Sequence, residues 1–536
     1  MFKLNAAEEQ KRTGVLQSFS PVDGTLVGAV KLTSPEEVPD IVSSAWEGFA
    51  GWARYSLAGR ARILRRFGDL LLQRSEEVAR LITLEMGKPL VESFAAEIEA
   101  CLDLIHYYTK YGRRFLEPKP VRLHNPFFWR RKNTDRIEPL GVLGIITPWN
   151  WPLLIPLGQI IPALLAGNAV VFKPSEHTPL SGKMIAELLY EAGIPPSVFQ
   201  VVYGFAGVGQ ALIGARISKI FFTGSTAVGW KVMQQAAESF KRAVLELGGN
   251  DPAIVCADAD LEYTTSGLLW GGFNNCGQNC NGVERIYVHR SVEQKFVKLL
   301  ADKLAKLRLG NSLREDVELG PLANEAQLQK TARIVQEAQE QGAELICGGK
   351  RSPALGGLYF EPTILRWPSV DREPEGEEVF GPVVFVTPFD TREEALRAAN
   401  RSQYGLTASV WSRNREEAET LVNGLQAGNV LVNDCVVSFG FPEASWTGWK
   451  KSGFGWVHGE KGIDEMVRIK FVTIEPQNRS QKLWWFPYTP SVMTAMRSGV
   501  QFLFARNPLQ KIKALPGVVR HMTGYLFLNR RRKDKL

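Results

Sequence analysis

From about residue 140 the chain alternates short apolar runs with longer amphipathic stretches. GVLGII (141–146), NAVVFK (168–173), KIFFTG (219–224), AVLEL (243–247) and PAIVC (252–256) are rich in β-branched residues with little polar alternation. Such runs predict strands covered on both faces, as in a parallel sheet. LSGKMIAELLYEAG (180–193) and AVGWKVMQQAAESF (227–240) instead repeat apolar residues at helical spacing. Strand and helix in alternation predict a doubly wound α/β sheet. RIYVH, VVFVTPF, LTASVWS and NVLVND, again separated by helical stretches, predict a second α/β domain over 247–455. Ligands of such sheets gather beyond the carboxyl ends of the strands. Asn150, the stretch Lys173 to Glu176, Gly224 with Ser225, and Glu246 all stand at those ends.

The chain has 536 residues, 45% of them hydrophobic and 22% charged, enough for two to four ordinary domains with substantial cores. Its six cysteines are too sparse for a disulfide framework and read as reduced thiols of a cytoplasm-like compartment. The opening MFKLNAAEEQKRT is polar, so no secretory leader is expected, and no run of 18 apolar residues marks a spanning helix.

Charge changes this picture at one end only. Arg479 to Leu536 holds twelve Lys or Arg against one acid, Asp534, leaving 52 basic and 55 acidic residues of the chain's 64 and 56 in the rest. The basic excess of +8 is therefore carried by the tail. Such asymmetry points to an anionic partner, either membrane or nucleic acid, or to a solvated tail.

Residues 273–282 read FNNCGQNCNG, with Cys276 and Cys280 four apart. A metal site would need companions, and the six histidines form no HxH or HxxxH cluster nearby, so no metal is expected. A redox couple, a buried thiol or a single nucleophile with a bystander remain as readings of the stretch itself.

TPWNWP, FKPSE, FTGSTAVG, LELGG, GQNC and EEVFGP occur in this order. Together they resemble the aldehyde dehydrogenase superfamily over roughly residues 15–475. The resemblance implies a Rossmann-like NAD domain (1–112 and 137–246), a catalytic domain (247–455), an oligomerisation arm (113–136 and 456–478) and a tail (479–536). It makes Cys280 the nucleophile and Cys276 a packing residue. It makes Asn150 the oxyanion donor, together with the Cys280 backbone N–H, and Glu246 the base that activates the deacylating water. Relatives that pass the acyl group to coenzyme A tend to lack that carboxylate, so hydrolysis to a free acid is implied. Gly224, Ser225 and the following helix start would hold a pyrophosphate, although GxGxxG is absent. Lys173 and Glu176 would face the adenine ribose. Glu378 and Phe380 would position the nicotinamide end, with Trp149 lining the cleft. A carboxylate at Glu176 repels a 2′-phosphate, so NAD is expected, with NADP the alternative. A homodimer or homotetramer is implied.

Two departures bear on substrate and location. FPEASWTGWKKSGFG keeps Ser452 and Gly453 but replaces the family's Pro-Phe-Gly-Gly string, and Trp446, Trp449 and Trp456 suggest a large apolar mouth. That favours a hydrophobic or long-chain aldehyde, with a small-metabolite aldehyde or semialdehyde as the alternative, and a catalytically silent scaffold as the remote one. The tail repeats apolar residues at helical spacing among basic ones (Val492, Met496, Val500, Leu503, Phe504, then Val518, Met522, Tyr525, Leu526) and closes on RRRKDK. Such a segment reads as lying on a membrane surface, in preference to packing on a subunit or binding nucleic acid.

Overall fold

A computed structural model of the chain describes residues 10, 13–129, 131–475, 482 and 484–522. Two compact units emerge, one of residues up to 116 with 139–468, the other of 117–138 with 469 onward. The larger unit carries two large sheets, two small two-stranded ones and the chemistry-bearing residues.

Its six-stranded sheet runs Gly453–Phe454, Arg242–Glu246, Lys219–Thr223, Val142–Ile146, Ala169–Lys173, Phe199–Val201. All neighbours are parallel except the antiparallel Gly453–Phe454 edge. The chain enters at Val142–Ile146, winds outward to Phe199–Val201, then returns to the other side at Lys219–Thr223. Val142–Ile146 and Lys219–Thr223 therefore flank a topological switch point, where the following loops part and leave a crevice. The three central strands are buried along their whole length, which is why they read as unbroken apolar runs.

The seven-stranded sheet runs Glu344–Cys347, Thr363–Arg366, Val383–Phe389, Val283–His289, Asp251–Val255, Thr407–Trp411, Asn429–Val432, parallel apart from the first pair. PAIVC thus belongs to this second sheet.

Helix Leu154–Ala166 is buried on every side, as a helix with no polar face must be. Its N-terminus receives a carboxylate: Glu97 Oε2 accepts the N–H groups of Leu153 (3.0 Å) and Leu154 (2.8 Å). Glu97 is paired in turn with Lys88 Nζ at 2.7 Å, both side chains fully buried, and Lys88 lies 3.4 Å from the centre of the Trp151 ring. Removing one partner of such a pair costs about 3–5 kcal/mol, because the other is left charged and unmatched. Helix Thr226–Glu238 stops two residues short of the sequence expectation. Phe240 adopts φ +53° and is 99% exposed while the chain turns into the Arg242–Glu246 strand.

In the smaller unit Val467–Ile474, Lys132–Pro139 and Lys119–Pro120 form a three-stranded sheet. Helices Pro490–Phe504 and Pro508–Gly517 follow, begun by the side-chain caps Thr489 and Asn507. The expected stripe on the first helix divides: Val492 is buried, whereas Met496, Val500 and Phe504 are exposed. Tyr525, Leu526 and RRRKDK lie outside the described residues. Among the described residues no helix is long and apolar enough to cross a membrane.

Candidate active site

Eight of the ten expected residues converge at the switch-point crevice. A cleft of about 180 Å³ is lined by Trp149, Asn150, Gly224, Ser225, Glu246, Cys280, Glu378 and Phe380, with Gln327 and Lys330 from a helix the motifs did not include. On its other side Cys280 also lines a second cavity, of about 400 Å³. The sulfur-bearing residue is the junction between the two.

The stretch around Cys280 is held by its own polar residues. Asn275, Cys276 and Gly277 take successive positive φ angles of 50°, 56° and 68°. Asn275 Nδ2 donates to the carbonyls of Asn150 and Gln278 (both 3.1 Å), and its backbone N–H donates to Glu92 (2.8 Å). Asn279 accepts from Trp151 Nε1 (3.2 Å), and Asn281 donates to the Val436 carbonyl (2.7 Å). The asparagines are thus braces for a strained loop. Cys276 is 1% exposed and packs in an apolar cluster with Leu322 and Val379. Glycine is required opposite: a Cβ at Gly249 would overlap the Cys280 carbonyl oxygen.

Burial pushes the Cys280 thiol up, and Glu378, Asp251 and Glu246 add to the effect. Burial also pushes Glu246 well above the usual carboxylate range, against the one hydrogen bond that favours its charge, from Trp446 Nε1 to Oε2 at 2.7 Å. Its other oxygen, Oε1, is buried without a hydrogen-bond partner among the described residues. A buried carboxylate oxygen in that state has full capacity to accept a proton or a donor. Asn150 is 1% exposed, and its Nδ2 donates to the Gln278 carbonyl at 3.1 Å.

The residues expected to hold the dinucleotide offer a helix N-terminus and an aromatic pair. Ser225 caps the Thr226–Glu238 helix, so that helix's N-terminus opens on the cleft. A Cβ on Gly224 would press on the Phe222 ring at 2.7 Å. Trp149 and Phe380 meet edge to face at 5.5 Å. Glu378 is pushed up to about 8, mainly by burial and then by neighbouring Glu284, while accepting the Gly249 N–H at 3.0 Å. Lys173 and Glu176 do not line this cleft. They pair at 3.6 Å beyond the Ala169–Lys173 strand, one strand past Val142–Ile146.

Sequence reading missed three supports. Glu284 accepts the N–H groups of Val379 and Phe380 and the Asn250 amide, fixing the Glu378 loop. A charge inside the apolar strand Val283–His289 was its only signal. The Lys88–Glu97 pair and Trp446 had none. The expected tryptophan mouth is also corrected: Trp446 is 1% exposed against Glu246, Trp456 sits under Lys461, and Trp449 lies on a short edge strand. The second cavity takes its aromatic wall from Trp151, Trp270, Phe439 and Phe441 instead. Glu99 and Asp103 also line it, one helical turn apart and exposed. None of the described residues lining it is Lys or Arg.

The sequence profile of the aldehyde dehydrogenase family matches residues 7–472. The mitochondrial succinate-semialdehyde dehydrogenase of Arabidopsis thaliana is 38% identical over 463 residues, 86% of each chain. A betaine aldehyde dehydrogenase of Cereibacter sphaeroides is 36% identical over 455 residues, covering 85% of this chain and 92% of that one. Among solved structures, an NAD-dependent aldehyde dehydrogenase from Sinorhizobium meliloti superposes with TM-score 0.83 at 37% identity, over 88% of this chain and 93% of its own. A betaine aldehyde dehydrogenase from Staphylococcus aureus in complex with NAD+ gives TM-score 0.83 at 32% identity, over 89% and 97%. With the α/β fold, the crevice and these matches in agreement, the chain belongs to the aldehyde dehydrogenase family and is an NAD(P)-dependent oxidoreductase.

Proposed function

We propose that the chain oxidises a small-metabolite aldehyde to its carboxylic acid, with Cys280 as nucleophile, Glu246 as base and Asn150 as oxyanion donor. The observation that carries this reading is the position of Cys280 between a cleft suited to a dinucleotide and a separate cavity for the aldehyde. The Cys280 sulfur adds to the carbonyl carbon while the thiol proton passes to water and leaves the site, so that Glu246 stays free for the second half. Burial raises the proton affinity of both the thiol and Glu246. Asn150 Nδ2 and the Cys280 N–H stabilise the oxygen as it gains charge. Bound NAD supplies the hydride acceptor, held by Trp149, Gly224, Ser225, Glu378 and Phe380, with Lys173 and Glu176 toward the adenosine. Glu246 then takes a proton from the water that attacks the thioester carbon, and Cys280 leaves as thiolate. In this reading residues 1–112 with 137–246 serve the cofactor, 247–455 the catalysis, and 113–136 with 456–478 assembly into a homodimer or homotetramer.

The relatives are named for small aldehydes, which favours that alternative over the long-chain reading. Between an anionic and a cationic substrate the cavity leans to the cation. Its aromatic wall can face a positive end group, and Glu99 with Asp103 adds negative charge without a basic residue to pair a carboxylate. The test compares kcat/KM for betaine aldehyde, succinate semialdehyde and decanal in wild type and in E99Q/D103N. The cation should lead, and the double substitution should raise its KM about tenfold, as two exposed charges warrant. Succinate semialdehyde leading would overturn the charge assignment, and decanal leading would restore the long-chain reading.

A further inference from the structure

The two C-terminal helices are packed the wrong way round for a water-facing element. The two helices pack on each other, Val492, Ala495 and Ala514 are buried, and a Cβ on Gly517 would overlap Ser498 Oγ, so a glycine and a serine meet where the helices are closest. The large apolar side chains face out. Met493, Met496, Val500 and Phe504 recur every three or four residues on Pro490–Phe504 and are 38–66% exposed. Leu509, Ile512 and Leu515 do the same on Pro508–Gly517 at 44–65%. Trp485 and Tyr488 stand exposed just ahead.

Charge decides what such a face can meet. Lys482, Arg497, Arg506, Lys511, Lys513 and Arg520 punctuate the segment, and no Asp or Glu occurs from Pro476 to Lys533. A second copy of the same hairpin would bring like charges together. A surface that is apolar below and anionic above satisfies both features at once. At 15 and 10 residues neither helix can span a bilayer, so the geometry is that of helices lying in its interface.

We propose that this hairpin docks the protein onto an anionic lipid bilayer, with Met493, Val500, Phe504 and Ile512 entering the acyl boundary and the Lys and Arg side chains on the headgroups. The proposal stands apart from the catalytic reading, since none of these residues lines the cleft or the cavity.

The test is co-sedimentation of the full-length protein with phosphatidylglycerol vesicles and with phosphatidylcholine vesicles. Wild type should sediment with the first and not the second, and release as salt rises. R506S/K511S/K513S should weaken binding about a hundredfold, and M493S/V500S/F504S should lose it, both keeping aldehyde turnover as evidence of folding. Equal behaviour on both lipids, or binding that ignores both variants, would overturn the proposal. So would tighter binding to duplex DNA than to vesicles. An oligomer that falls apart in the apolar variant without lipid would show the face covered by a second copy, and would overturn it too.

Discussion

The two sides of Cys280 are built by different rules. On the cleft side, Asn150, Gly224 and Glu246 are each within four residues of the end of a parallel strand, so the backbone of one sheet fixes them. On the cavity side, the wall is assembled from side chains of the helices around Glu99, Leu154 and Trp270 and from the segment Val436–Phe441. The cleft is rich in buried groups whose proton affinity is displaced, Glu246 and Glu378 among them, whereas Glu99 and Asp103 lie in water. The difference assigns labour. In the proposed reading, positions held by strand ends carry chemistry that tolerates little displacement, and positions held by interchangeable side chains select the aldehyde.

Substitutions on the cleft side should therefore strike kcat, and those on the cavity side KM. Cys280→Ala is the severest case: turnover should fall at least about 10⁴-fold while NAD still binds, checked by steady-state rate and by fluorescence titration of the cofactor. Retained turnover would move the nucleophile elsewhere. Asn150→Ala should lower kcat about 10²- to 10³-fold with a much smaller change in KM. A pure KM effect would instead mean that its hydrogen bond to the Gln278 carbonyl only shapes the loop.

Trp446→Phe tests the boundary between the two sides more gently. The indole N–H favours the charged form of Glu246, so its loss should raise that carboxyl's proton affinity further. A base works when deprotonated, so the rising limb of the pH–rate profile should move to higher pH while the rate at high pH approaches wild type. An unmoved limb with a uniformly lower rate would make Trp446 a packing residue.

Much of the cleft side was legible in the sequence. Strand ends and glycine-bearing turns sit next to each other along the chain, so LELGG, FTGSTAVG and GQNC each place backbone and functional group in one string. Lys173 and Glu176 were legible as strand-end residues too, but strand order sets them one position farther along the sheet than the crevice. What braces the site was not legible. Trp446 meets Glu246 across 200 residues, and Glu97 meets the start of the Leu154–Ala166 helix across 56, with no local pattern to announce either contact. The cavity wall failed for the same reason. Three tryptophans close in sequence suggested a mouth, and the fold turned one inward to Glu246 and the others away from the cavity. The tail pattern gave the helix Pro490–Phe504, whereas the second helix, Pro508–Gly517, lies ahead of the stripe expected from Val518 and was not legible. Neither was the packing that buries Val492, Ala495 and Ala514 and leaves the larger apolar side chains exposed.

The most direct test of the division between acylation and deacylation is the rapid-mixing time course of NADH formation by Glu246→Gln. A burst of about one equivalent per active site, followed by a steady rate reduced about 10²- to 10⁴-fold, is the expected result, since Cys280 can still form the thioester but no base activates water. Loss of the burst along with the steady rate would contradict it, and would place Glu246 in the first half of the reaction.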